Sequence, residues 1–481
     1  MLQVSDLDIE NRIRFDNPWW VAGQGIDEEW AKFPHRDYFA SFLGVSKEIS
    51  IRRAVILMGP RRVGKTIMMQ QVIHELLREG IPGNTILYLS LETPIYTGLS
   101  LEHLLQIFMQ LNHWSPQQSV WIFFDEIQYL KDWELHLKSL VDSYKHCRFV
   151  VSGSSAAALK MKSSESGAGR FTEFLLPPLT FAEYLRFIER EDELILPVGD
   201  TQSNRPLSYR VKNLPELNRE FLNYLNFGGY PEAVFNKGIQ LNSRRYLKQD
   251  IVEKVLLKDL PSLYGIHDTQ ELNQLFNTLA YNVGQEISLD SLAKNSSVSK
   301  TTLVRYLEYL EAAFLVRRVL RVDKNKSRFQ RVTNFKIYLS NPSLRAALFG
   351  PVTETSPALG HVVENAVYSQ WLHNAEQIRS IHYGRWKKGR KDLEVDIISL
   401  AEGTTEPQFV VEVKWSDRAF DHAHESEGLQ DYCKANPPKR MPLITTLSKS
   451  GKKELNGIMV EFTPCSLHCY TVSKNTLRKI T

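Results

Sequence analysis

The stretch Ala54-Val55-Ile56-Leu57-Met58-Gly59-Pro60-Arg61-Arg62-Val63-Gly64-Lys65-Thr66 decides the fold. An apolar, β-prone run breaks into G-x-x-x-x-G-K-[ST], and a helix-like run with Met68, Val72 and Leu76 on one face follows. Gly59 and Gly64 let the backbone curl so that its N–H groups point inward at phosphate oxygens. The start of the next helix adds unpaired N–H groups and a positive dipole end. Lys65 reaches the β and γ phosphates, and Thr66 offers a hydroxyl to Mg²⁺. Residues 59–66 (Gly59, Pro60, Arg61, Arg62, Val63, Gly64, Lys65 and Thr66) are therefore the expected ATP-binding loop.

Downstream, strand-like and helix-like runs alternate, as in a parallel α/β sheet. Gly80 and Pro82 mark the end of the helix after the loop. Thr85–Ser90 reads as a second strand, and Val120–Phe124, apolar throughout, as a third that is covered on both faces. The third ends in Asp125-Glu126. Asp125 is expected to hold the Mg²⁺ that Thr66 also touches. Glu126, projecting differently, is the candidate that orients or deprotonates water. This acidic pair points to the ATPase branch that has an additional strand between the two motif strands.

The strand Arg148–Val151 ends in Ser152, a candidate sensor of the γ-phosphate or the water; simple turn chemistry is the alternative. Arg170 follows a small-residue segment and is a candidate arginine finger, in cis or onto a neighbouring subunit; a solvated surface arginine is the alternative. Thr180-Phe-Ala-Glu183 fits a capping box opening a helix.

Gly59–Thr66, Asp125-Glu-Ile-Gln128, Ser152-Gly-Ser-Ser155, Gly169-Arg170, Pro178-Leu-Thr-Phe-Ala-Glu-Tyr184 and Gly228-Gly-Tyr-Pro-Glu232 together resemble the prokaryotic AAA+-like ATPases related to archaeal STAND-type ATPases. The resemblance spans about residues 52–234. It implies a parallel-sheet P-loop ATPase core followed by a helical lid, with Ser152 and Arg170 joining Glu126 as catalytic residues.

At 481 residues the chain is too long for one core. Its 43% hydrophobic and 24% charged content are ordinary for a globular protein, and a net charge of +4 does not by itself argue for nucleic acid. The first ten residues carry three acids, and no apolar run approaches the ~20 residues of a membrane span. The four cysteines are too sparse for a disulfide framework, and Cys465 and Cys469 have no second pair for zinc. A soluble cytoplasmic protein, without a membrane partner, is the expectation. The aromatic preface (Trp19, Trp20, Phe33, Tyr38, Phe39) either packs beside the nucleotide base or covers an exposed sheet edge or helix.

Glu271–Arg321 changes rhythm. One amphipathic helix is followed by two shorter ones capped by Ser288 and Ser299, then by Phe314–Val319 as a β-wing. This outlines a winged helix-turn-helix whose second helix presents Lys300, Thr301, Thr302, Arg305 and Tyr306. Of these, Lys300, Thr302 and Arg305 are the candidate DNA-binding residues; protein docking or a spacer role is the alternative.

The last domain holds a second acidic set. Glu364 lies on a helix. Leu393–Ile398 and Phe409–Lys414 read as strands, and alternation puts Glu412 and Lys414 on one face. Asp396, Glu412 and Lys414 fit D…(D/E)-x-K, in which two acids hold Mg²⁺ or Mn²⁺ and the lysine orients the attacking hydroxide. The pattern resembles the PD-(D/E)xK nuclease fold that ends many members of the same ATPase family, with Glu364 as the helix-borne acid; a binding-only site is the alternative. Basic residues at 385–391 would suit a phosphate backbone. The expected order is an N-terminal extension (1–50), ATPase core (51–180), helical lid (181–265), winged helix (266–330) and restriction-endonuclease-like α/β domain (331–481). The expected activity is Mg²⁺-dependent ATP hydrolysis coupled to DNA binding and to metal-dependent cleavage, or else a non-nucleolytic ATP-gated regulator binding DNA or a partner protein.

Overall fold

The computed structural model describes residues 5–115, 118–153, 169–199, 207–296, 298–322 and 334–478. The chain forms two compact units that divide between Leu176 and Pro177. No helix is long and apolar enough to cross a membrane, among the described residues.

The first unit is built on a parallel sheet of β1 (Ala54–Met58), β2 (Ile86–Ser90), β3 (Val120–Asp125), β4 (Cys147–Gly153) and β5 (Phe171–Leu175). The strand order is β2-β3-β4-β1-β5, so β4 lies between the two motif-bearing strands β1 and β3, as the acidic pair leads one to expect. β1 is buried at every position, as a central parallel strand flanked by helices must be. Helix Lys65–Arg78 turns Met68, Met69, Val72, Ile73 and Leu76 into the core. It stops at Gly80 (φ +87°), where Ile81 N–H returns to Leu76 O.

The N-terminal preface covers an edge. β2 is the outer strand, and its open backbone groups are met by side chains. Trp19 and Trp20 Nε1 donate to Ile86 O at 3.2 and 2.8 Å. Asn17 pairs with Tyr88 in both directions: its Nδ2 donates to Tyr88 O at 2.9 Å, and its Oδ1 accepts from Tyr88 N at 2.7 Å. Of the two readings of this segment, the structure takes the sheet-edge one.

The second unit holds a hairpin of β6 (Ile195–Val198) and β7 (Ser208–Val211), in a stretch expected to be a surface excursion; its tip lies outside the described residues. The rest is organised on one mixed sheet of β8 (Glu286–Ser288), β9 (Val316–Val322), β10 (Asn334–Leu339), β11 (Ile381–Lys388), β12 (Lys391–Leu400), β13 (Pro407–Glu412), β14 (Leu443–Thr446), β15 (Gly451–Leu455) and β16 (Ile458–Pro464). Its order is β15-β16-β14-β13-β12-β11-β9-β10-β8. The strands expected to form a wing and those expected to form a nuclease domain thus share one sheet.

Thr180 caps helix Phe181–Phe187 with a full capping box. Phe181 N then donates to Gln370 Oε1 at 3.0 Å and Ala182 N to Ser473 Oγ at 3.2 Å, so the segment expected as a lid is built into the second unit. The long helical stretch Ser243–Tyr264 is widened by π turns at Lys248–Glu253 and Val255–Asp259.

Candidate functional site

The first site lies where β1 and β3 end. A Cβ on Gly59 would sit 2.2 Å from Leu176 O, so only glycine fits where the loop leaves β1. Gly64 takes φ +94° as it enters the helix, a conformation that side chains resist. Arg62 also has positive φ, Arg61 Nη2 donates to Tyr129 OH at 3.3 Å, and Val63 is fully buried. Arg36, from the preface, donates to Val63 O at 2.9 Å and braces the loop from outside. Lys65 is 4% exposed, and its Nζ donates to Gly59 O at 3.1 Å and to Pro60 O at 2.9 Å.

Asp125 gathers three hydroxyls. Thr66 Oγ1 donates to Oδ2 at 2.7 Å, Tyr88 OH to Oδ2 at 2.8 Å, and Ser152 Oγ to Oδ1. Burial, and then the Glu126 carboxylate, push Asp125 above the usual carboxylate range, while the three hydroxyls oppose this. Such a buried carboxylate gains from a cation, and Thr66 Oγ1 already stands beside it, so these two residues fit the Mg²⁺ role. Glu126 follows with φ +55°, a left-handed turn that costs a non-glycine residue about 1 kcal/mol. Its N–H donates to Ser152 Oγ at 3.1 Å, and its Oε2 accepts from Gln128 Nε2. Tyr88 and Arg36 escape a motif search, because neither belongs to the loop or to the acidic pair.

Arg170 does not join them. Ala54 N donates to Arg170 O at 2.9 Å, which puts Arg170 beside the start of β1, while the P-loop leaves its end. Five residues of strand separate the two, roughly 15 Å. Its side chain is exposed and pairs with Asp142 at 2.5 Å. In this structure Arg170 thus stands at the opposite end of β1 from the P-loop of its own chain.

In the second unit, Glu364, Asp396, Glu412 and Lys414 do converge. β12 and β13 pair Ile397 with Val411, which sets Asp396 opposite Glu412 at the next position. Val413 N donates to Asp396 Oδ2 at 2.9 Å, and Lys414 Nζ lies 2.7 Å from Glu412 Oε1. Thr445 Oγ1 fixes the Lys414 backbone, accepting from its N–H at 2.7 Å and donating to its carbonyl at 2.8 Å. Burial, then the neighbouring Asp396, push Glu412 up to about 8, and burial pushes Glu364 up to about 7.

One member of the cluster was not foreseen. Lys336 of β10, 1% exposed, places Nζ 2.8 Å from Glu364, 2.5 Å from Glu394 and 3.5 Å from Asp396. Asp396 stays below the usual carboxylate range although burial works against it, because Lys336 and then Lys414 hold its charge. Alternation marks Lys336 as a core position, yet nothing local says that a lysine there has acidic partners 28 and 60 residues away. Among the described residues no group of three or more His, Cys, Asp or Glu side chains is arranged to hold an ion. Cys465 and Cys469 are likewise buried thiols, pushed up by burial. The basic strand ends are already paired, Lys388 with Asp431 at 3.0 Å and Lys391 with Glu427 at 2.7 Å.

The helix pair Leu289–Ser296 and Lys300–Ala312 forms as the capping serines require; Thr302 N donates to Ser299 Oγ at 3.1 Å. Lys300 and Arg305 are exposed on the second helix, Lys300 paired with Asp290 and Arg305 bonded to Tyr309 OH at 3.2 Å. Tyr306, expected on the same outer face, is instead 8% exposed and donates to Glu271 at 3.3 Å. The helical turn carries it inward with Leu303, Leu307 and Leu310.

Residues 51–185 match the family described as AAA domain (AAA_14), and residues 218–355 match a domain of unknown function (DUF8612). Relatives include an uncharacterised protein of Haemophilus influenzae, 24% identical over 330 residues, spanning 67% of this chain and 75% of the relative. Another, from Methanocaldococcus jannaschii, is 22% identical over 371 residues, spanning 74% and 75%. Among solved structures, AMPPCP-bound DnaA of Aquifex aeolicus is 14% identical, with a TM-score of 0.29, covering 60% of this chain and 93% of that one. PCH-2 of C. elegans is 15% identical, with a TM-score of 0.27, covering 41% and 58%. The AAA match and the five-stranded parallel sheet make the first unit an ATP-binding, AAA+-type P-loop ATPase core.

Proposed function

We propose that the chain is a Mg²⁺-dependent ATPase whose cycle governs a DNA-directed second unit. The observation that carries the first half is the 2.7 Å contact between Thr66 Oγ1 and Asp125, with Ser152 linking Asp125 to the Glu126 backbone. Lys65 is placed to transfer its hydrogen bonds from loop carbonyls to phosphate oxygens, and the loop N–H groups orient the chain of phosphates. Thr66 and Asp125 would hold Mg²⁺, which would supply charge neutralisation at the phosphates. Glu126 takes up the proton of the attacking water, and Gln128 holds its carboxylate in place. Lys65→Ala is expected to abolish turnover. Glu126→Gln should retain ATP but slow its hydrolysis by roughly 10²- to 10⁴-fold. Native turnover in Glu126→Gln would remove the base assignment.

The DNA-directed half is supported by the element order helix, β8, helix, helix, β9, β10, which suits a winged helix, and by the exposure of Lys300 and Arg305 on its second helix. The non-nucleolytic form of this reading is favoured by Lys336, which neutralises the acids that cleavage would need. Plasmid incubated with the protein, ATP and either Mg²⁺ or Mn²⁺ should be retained in a salt-sensitive way and remain uncut. Cutting that is lost in both Asp396→Ala and Lys414→Ala would instead establish the nuclease.

A further inference from the structure

The acidic cluster of the second unit is saturated by its own cation. Three carboxylates, from helix Leu359–Ser369 (Glu364) and from β12 (Glu394 and Asp396), face one ammonium, Lys336 Nζ, at 2.8, 2.5 and 3.5 Å. An ammonium has three N–H donors, and here it has three acidic acceptors. Further donors reach two of these acids. Glu364 Oε1 accepts in addition from Tyr338 OH, and Asp396 Oδ2 accepts from Val413 N at 2.9 Å. The Tyr383 ring closes one side, its centroid 5.5 Å from Lys336 Nζ. The fourth acid, Glu412, is served by Lys414, while its Oε2, buried, has no hydrogen-bond partner among the described residues.

We infer that Lys336 is the resident cation of this cluster, its ammonium taking the position where a metal-dependent nuclease would hold a divalent ion. The inference rests on reading Glu364, Asp396 and Glu412 as one site, and it says what that site binds: none of the oxophilic divalent cations while Lys336 is present. A divalent ion in place of the ammonium would need these oxygens, now at 2.8, 2.5 and 3.5 Å, drawn in to about 2.1 Å for Mg²⁺ or about 2.3–2.6 Å for Ca²⁺. A divalent ion and a buried ammonium repel at that separation, so the two are alternatives. Lys336 also has a mechanical role. It stands on β10, and Glu394 and Asp396 stand on β12, with β11 and β9 between them in the sheet, so it ties β10 to the central strand that carries these two acids.

The test uses the full chain carrying Asp125→Asn, which removes the metal position of the first unit, without nucleotide. Mn²⁺ is titrated and followed by its electron paramagnetic resonance. With Lys336 present, no Mn²⁺ site that depends on Asp396 should be seen; with Lys336→Gln, one such site should appear. At a hundredfold excess over its Kd, Mn²⁺ should then raise the Tm of the Lys336→Gln chain by about 5 °C and leave that of the Lys336 chain unchanged. A Mn²⁺ site in the Lys336 chain that Asp396→Asn removes would overturn the inference, and this arm needs no folded Lys336 variant. A folded Lys336→Gln chain without a site would overturn it as well. If instead a Mn²⁺ site appears in Lys336→Gln but survives both Glu364→Gln and Asp396→Asn, the acids do not form one site, and the underlying reading is what fails.

Discussion

The Ser152 hydroxyl is bonded to both residues of the acidic pair at once: it donates to Asp125 Oδ1 and accepts from the Glu126 N–H at 3.1 Å. Ser152 sits on β4, the strand inserted between β1 and β3, so this one oxygen links the acidic pair to the adjoining strand. The same bond steadies the left-handed turn of Glu126.

Replacing Ser152 by Ala should therefore lower kcat more than it weakens ATP binding. Removing such a supporting contact typically costs roughly 10- to 100-fold in activity, and Ser152→Thr, which keeps the hydroxyl, should recover part of it. Steady-state ATPase kinetics with a separate nucleotide-binding titration decide this. An equal rise in Kd with kcat unchanged would mean that Ser152 shapes the pocket and not the chemistry.

Arg170 leads to the opposite expectation. It lies at the far end of β1 from the P-loop and pairs at the surface with Asp142. Arg170→Ala should leave turnover per chain unchanged at dilutions where the protein is monomeric, and exposed pairs of this kind contribute at most about 1 kcal/mol to stability. A contribution onto a neighbouring copy would show itself as a loss of turnover only at high protein concentration. Loss at every concentration would contradict the placement.

The P-loop site was largely legible because its chemistry is local. Gly59 to Thr66 are contiguous, and Asp125-Glu126 ends an apolar run that has no other reason to stop on two acids. Ser152 needed the strand order as well, and the place of Arg170 was not legible because a glycine-arginine pair says nothing about which end of a strand it occupies. In the second unit the acids were legible from alternation, since Glu412 and Lys414 are two apart on one strand. Lys336 was not, because its meaning depends on β10 meeting partners that only the long-range order of the sheet brings near. Tyr306 failed for a simpler reason: a helix face deduced from polarity treats a tyrosine as outward, whereas its ring was needed in the core and its hydroxyl found Glu271.

The preface supplies a stability prediction. Asn17 is fully buried and acts as a substitute strand residue, meeting both the N–H and the C=O of Tyr88 on the edge of the sheet. Asn17→Ala leaves two buried backbone groups of β2 without partners, and each such group costs ~1–3 kcal/mol. The first unit should lose on the order of 2–4 kcal/mol, and amide exchange at Tyr88 should quicken. Asn17→Asp keeps the acceptor and loses the donor, so it should fall between. An alanine variant as stable as the parent would mean that the segment merely rests on the sheet.

His468 makes acid stability a test of the second unit's core. It lies on helix Cys465–Leu477 with its Nε2 buried and, among the described residues, without a hydrogen-bond partner, and burial lowers its pKa from 6.5 to about 4. The folded chain therefore holds a neutral imidazole at pH values where the unfolded chain would protonate it. Above pH 6.5 both states are neutral, and this group contributes no pH dependence. As the pH falls from 6.5 towards 4, the unfolded state takes up the proton and the folded state does not, so stability drops, and below 4 the loss levels off. The full loss is on the order of 3 kcal/mol, because each pKa unit is worth about 1.4 kcal/mol. His468→Leu, which keeps the position apolar and cannot titrate, should flatten the decline in the second unit's unfolding free energy across this window without changing the decline that carboxylates cause at lower pH. Denaturant unfolding at closely spaced pH values compares the two chains directly. If their curves run parallel from pH 7 to 4, His468 is not protonated on unfolding in the way its burial requires, and the packing of that helix against the sheet must be read again.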